Sequence, residues 1–76
     1  MGIKRRYAVV RASMMGVVAS TRAQTGSIVE AGDTLVSIEI MKMLHDVKAP
    51  MRGEVELMVK AGEMVVDGQM VAKIFV

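Results

Sequence analysis

Gly26-Ser27-Ile28-Val29-Glu30-Ala31-Gly32-Asp33 returns later in the chain as Gly62-Glu63-Met64-Val65-Val66-Asp67-Gly68-Gln69. In both copies the glycines stand six residues apart, and the offset between copies is 36 residues. Similarity at a fixed period marks a repeated structural unit. The likeness extends in both directions. Upstream, Ala12-Ser13-Met14-Met15-Gly16 matches Ala49-Pro50-Met51-Arg52-Gly53 at an offset of 37 residues. Downstream, Ile38-Glu39-Ile40 answers Ile74-Phe75-Val76. The change of offset places one inserted residue in the first half, within Ala19–Thr25. The second copy runs to the last residue, so the reading predicts one complete domain of two similar halves.

Each half reads as β structure. Val55, Leu57 and Val59 alternate with Glu54, Glu56 and Lys60, with Met58 the one break. This is the period of two of a half-buried strand. Val36, Ile38 and Ile40 alternate in the same way with Leu35, Ser37 and Glu39, and Val71, Ile74 and Val76 continue the theme. Glycines recur too often for long helices, each costing about 1 kcal/mol in a helix interior, and they suit tight turns with positive φ. Pro50 has no N–H for a ladder and belongs at a strand start or edge. Short strands between turn signals predict an all-β flattened barrel or sandwich with pseudo-twofold symmetry.

Composition narrows the function. Apolar residues make up 53% of the 76, yet only Tyr7 and Phe75 are aromatic, against nine methionines. Met14, Met51, Met58, Met64 and Met70 are expected as adaptable core filler rather than as a metal site. The chain has no cysteine, which removes disulfides and thiol chemistry and fits a reducing, cytoplasmic setting. Four of the ten basic residues are Lys4, Arg5, Arg6 and Arg11. From residue 12 onward six bases face eight acids, a net charge of −2. The basic balance therefore belongs to an N-terminal arm, residues 1–7, with the domain proper over 8–76. A phosphate backbone needs Lys and Arg clustered across a folded face, so no nucleic-acid partner is expected. No run approaches the roughly 20 apolar residues of a membrane span, and no membrane partner is expected either.

The segment Met41-Lys42-Met43-Leu44-His45-Asp46-Val47-Lys48 has no counterpart in the repeat. It joins the halves, and with strand pattern to Ile40 and again from about Leu44 it reads as a hairpin with Lys42 at or beside the tip. Turns favour Gly, Asn, Asp and Pro. Two methionines exposed beside a lysine are an anomaly unless another molecule reads them. A lysine amine is protonated at neutral pH, and no cysteine, tyrosine or second lysine stands beside Lys42 to activate it. Self-sufficient covalent catalysis is thus unsupported. His45, the single histidine, precedes Asp46, but neighbours in a strand point to opposite faces. His45 is read as an exposed strand residue with no catalytic role.

The run Glu39-Ile40-Met41-Lys42-Met43 resembles the attachment motif of the biotinyl/lipoyl carrier family, usually Glu-Ala-Met-Lys-Met. The likeness covers nearly all of residues 8–76, including the paired Gly turns and Ala49-Pro50-Met51-Arg52-Gly53. It implies a flattened barrel of two four-stranded antiparallel sheets with the modified lysine on a protruding hairpin. It further implies a non-catalytic carrier, acting as a monomer when isolated, with biotin held covalently on Lys42. A biotin protein ligase would attach the group, reading Met41, Met43 and Glu39. A biotin carboxylase and a carboxyltransferase acting on an acyl-CoA or 2-oxo acid would load and unload it. Ile40 stands in place of the usual alanine, and Ser13 in place of a proline in the first half. The stretch Gly16–Gly26 leaves no room for the thumb insertion of some relatives. A lipoyl carrier would share the fold, but its sites usually read Asp-Lys-Ala. Adaptor modules of the same fold usually lack the methionine-flanked lysine.

Overall fold

The computed structural model describes residues 5–76; the first four residues of the basic arm lie outside these. Eight strands follow one another: β1 Tyr7–Arg11, β2 Gly16–Thr21, β3 Ile28–Val29, β4 Thr34–Ile40, β5 Met43–Lys48, β6 Gly53–Leu57, β7 Met64–Val65 and β8 Met70–Phe75. They form two four-stranded antiparallel sheets, sheet A in the order β1-β8-β6-β3 and sheet B in the order β5-β4-β2-β7. β1 starts inside the basic arm, at Tyr7, and Arg5 is tied to sheet A through Glu54 at 2.9 Å.

The two halves exchange their shortest strands. β3 from the first half pairs with β6 of the second, and β7 from the second pairs with β2 of the first. The repeated glycine turns lock this exchange symmetrically. The Gly26 N–H donates to the Val55 carbonyl at 2.8 Å, and the Gly62 N–H to the Val18 carbonyl at 2.7 Å. Likewise Gly32 donates to Ala49 and Gly68 to Ala12, both at 2.8 Å. These four glycines have φ between 83° and 94°, a region that strains any residue with a Cβ. The inserted residue of the first half is also visible. The β2–β4 register shifts between Val18 and Ser20, whereas β6–β8 runs without a break. Ala19 is the extra residue, taken up as a β-bulge.

Gly16 and Gly53 have a different role from the turn glycines. They open β2 and β6, and a Cβ at either would collide with a backbone carbonyl, that of Glu39 or of Phe75. The strands approach too closely there for any side chain.

The core corrects two expectations. It is built from β-branched and small residues, among them Val18, Ile38, Val55, Val65, Val71 and Ile74, with Leu35. The methionines expected to fill it do not: Met14, Met51, Met58 and Met64 are exposed, and Met70 is half-buried. Stiff branched side chains suit a thin pleated sandwich, whereas long thioethers project past it. The alternation expected in β4 also fails at Leu35 and Ser37, which are as buried as Val36 and Ile38. Leu35 sits at a register irregularity between Thr34 and Val36. Ser37 lies beneath Asp46 on β5, donating its hydroxyl to Asp46 Oδ1 at 2.9 Å. Met58, by contrast, fits the alternation beyond β6 as an exposed position between buried Val59 and half-buried Leu57.

Candidate functional site

β4 and β5 form a hairpin whose last rung is Ile40 opposite Met43, leaving Met41 and Lys42 as a two-residue turn. The twist of paired strands selects a type I′ connection for such a loop, with positive φ at both central residues. Met41 and Lys42 have φ of 52° and 65°. They are the described non-glycine residues in this region, where an L side chain costs about 1–2 kcal/mol. Asn-Gly would meet the same geometry with far less strain. Strain that a sequence retains at one spot is a pointer to function.

The turn presents its side chains to solvent. Met41 is 87% exposed and Met43 64%, and Lys42 is exposed between them. Ile40 is buried beneath the tip, so the bulkier residue in place of alanine points into the core and leaves the presented surface unchanged. Glu39 is exposed on the outer face of β4, with no hydrogen bond or ion pair from its side chain among the described residues. The structure thus brings Met41, Lys42 and Met43 together at the tip and sets Glu39 one rung behind them on the outer face. His45 lies exposed on β5, while Asp46 is engaged with Ser37, with Thr34 Oγ1 a further 3.5 Å contact. No catalytic pair forms from them. Among the described residues no group of three His, Cys, Asp or Glu side chains is placed to hold a metal ion, and no helix is long and apolar enough to cross a membrane.

Three further apolar residues lie exposed near the tip, Leu44, Val17 and Met64, at 65%, 40% and 68%; from the sequence alone Leu44 and Val17 carry no role and Met64 is expected in the core. Cross-strand register brings them together, and register between distant segments leaves no local signal.

This geometry has close relatives. The sequence matches the biotin-requiring enzyme family over residues 8–74. The chain belongs to that family. It is 40% identical over 60 residues to the biotin carboxyl carrier protein of acetyl-CoA carboxylase from Solanum lycopersicum, covering 78% of this chain and 86% of that protein. It is 39% identical over 64 residues to the mitochondrial methylcrotonoyl-CoA carboxylase subunit alpha of Arabidopsis thaliana, covering 83% of this chain but only 9% of that protein. Among solved structures, the urea carboxylase of Kluyveromyces lactis superposes with a TM-score of 0.87 at 32% identity, over 97% of this chain and 7% of that one. The chain therefore spans under a tenth of the large carboxylases it matches. It is a biotin carboxyl carrier domain, which holds biotin covalently. The exposed Lys42 amine at the hairpin tip suits such an attachment, since it is reachable from outside.

Proposed function

We propose that Lys42 is the residue that carries biotin in this domain, which occupies residues 8–76. What supports this most is the tip geometry: Lys42 is held in a left-handed turn between two exposed methionines, at the protruding end of the segment that joins the two halves. A biotin protein ligase forms the amide, the Lys42 amine displacing AMP from biotinyl-adenylate with loss of a proton. Met41 and Met43 are the apolar contacts this ligase reads, with Glu39 behind them. Once attached, biotin supplies a ureido nitrogen able to accept and release a carboxyl group.

The domain itself catalyses nothing. It moves the group between a biotin carboxylase and a carboxyltransferase acting on an acyl-CoA or 2-oxo acid, and tethering turns each encounter into an intramolecular one. The hairpin suits this task because it presents the attachment point at an exposed turn. As an isolated domain it acts as a monomer, and the cysteine-free composition fits a reducing compartment such as the cytoplasm.

Coexpression with a biotin protein ligase in the presence of biotin tests the assignment. The intact mass rises by one biotinyl group, and the Lys42→Ala variant stays unlabelled. A labelled Lys42→Ala protein sinks the site assignment.

A further inference from the structure

The register of sheet B places Leu44, Glu39, Val17 and Met64 side by side on β5, β4, β2 and β7. Directly opposed residues share a face, and all four are exposed. The row spans roughly 14 Å at the usual strand spacing. It is an apolar strip holding one carboxylate.

The other sheet carries the pseudo-equivalent row, Tyr7, Phe75, Glu54 and Ile28 on β1, β8, β6 and β3. There the two middle residues, Phe75 and Glu54, are half-buried, while Tyr7 and Ile28 at the ends are exposed. The Arg5 guanidinium lies 4.5 Å from the centre of the Phe75 ring and 2.9 Å from the Glu54 carboxylate. Arg5 stands two residues before Tyr7, as Lys42 stands two residues before Leu44. One half of the molecule thus shows a long side chain from this position lying back along the outer row. In the other half the corresponding side chain is Lys42, and its row has no ion pair or side-chain hydrogen bond at Glu39 among the described residues.

We propose that the Leu44–Glu39–Val17–Met64 row is a resting site for the biotinyl arm of the same chain. The inference rests on Lys42 being the attached residue. The row lies two residues behind the turn, about 7 Å at 3.3 Å per residue. The lysyl-valeryl arm of about ten bonds extends at least as far as three residues of extended backbone, roughly 10–11 Å, so the arm reaches the row. Its hydrocarbon chain and thioether ring match Leu44, Val17 and Met64. Its ureido N–H matches Glu39 as donor to acceptor, a charge-assisted hydrogen bond. Amide formation also removes the Lys42 charge and leaves a neutral arm to lie on this surface. Each contact is weak alone, but the tether sets a local concentration of about millimolar order. An enzyme that captures the group must first draw it off the row, so its apparent affinity falls by the free fraction.

The test uses the biotinylated protein, separated from unmodified chain and verified by intact mass. Nuclear Overhauser contacts are expected from the biotin ring protons to the methyl groups of Leu44, Val17 and Met64. Streptavidin is expected to capture loaded Glu39→Ala and loaded Val17→Ser/Met64→Ser about threefold faster than the loaded parent. Those side chains are exposed, so neither change disturbs the core. Absence of any adduct overturns the attachment reading and this one with it. An adduct with no such contacts and with equal capture rates overturns the resting site alone.

Discussion

Ile40 and Met43 face each other across the last rung of the β4–β5 hairpin, one buried and the other 64% exposed. Between them the backbone must reverse in two residues, and it does so through two left-handed side chains that favour neither turn chemistry nor burial. The tip is therefore shaped by what it presents rather than by what is easiest to fold.

The first prediction follows directly. Met41→Asn places a residue that tolerates the left-handed region where a strained methionine now sits, and it removes no core contact. The domain is expected to gain roughly 0.5–1 kcal/mol, or a few degrees in Tm for a chain of this size. The initial rate of biotinylation by ligase is expected to fall at the same time, because the apolar flank is gone. Thermal unfolding and labelling kinetics of the same sample check both halves. A variant that is neither stabilised nor slower to label contradicts the account of the tip.

Glycines that look alike in sequence separate by mechanism. At Gly26 a Cβ meets nothing within 4 Å, and the strain comes from φ alone, so Gly26→Ala should cost about 1 kcal/mol. At Gly16 a Cβ meets the Glu39 carbonyl and the side chains of Ile38 and Ile40. Gly16→Ala must push β2 away from β4 and is expected to cost about 3 kcal/mol. Urea unfolding of the two variants should show that order, and Gly53→Ala should behave like Gly16→Ala.

Much of this architecture was legible in the chain. The duplication gave the two halves, the change of offset located the insertion that became the Ala19 bulge, and the unique segment marked the hairpin. The left-handed turn was also within reach, since strand patterns ending at Ile40 and resuming near Leu44 leave room for a tight primed loop. Core membership was less legible, because hydrophobicity alone does not say whether a methionine points into a thin sandwich or past it. Ser37 was misplaced for a related reason: its burial depends on Asp46, a partner on another strand.

The methionine correction yields a third prediction. Met58→Gln changes an exposed side chain and is expected to alter stability by no more than about 0.5 kcal/mol. Ile38→Ala empties a site that is 1% exposed and is expected to cost about 3 kcal/mol, a large share of what so small a domain possesses. Equilibrium unfolding in urea compares them directly. A Met58→Gln loss as large as that of Ile38→Ala would restore methionine to the core.

Ser37 and Asp46 supply the last prediction, because they fix β5 against β4 behind the tip. Ser37 is 1% exposed, and its hydroxyl donates to Asp46 Oδ1 at 2.9 Å. Asp46→Ala leaves that hydroxyl buried without an acceptor, an expected loss of about 1–2 kcal/mol. Ser37→Ala removes the donor along with the need for a partner and should cost less. In the double variant the second change should therefore recover part of the first, giving a coupling of about 1 kcal/mol in a double-mutant cycle. β5 is an edge strand held by β4 alone, so the Asp46→Ala protein should also show faster amide exchange along Met43–Lys48 than the parent, with exchange in β1, the edge strand of the other sheet, unchanged. Strict additivity of the two substitutions, with unchanged exchange in β5, would mean that the pair does not hold the hairpin in register.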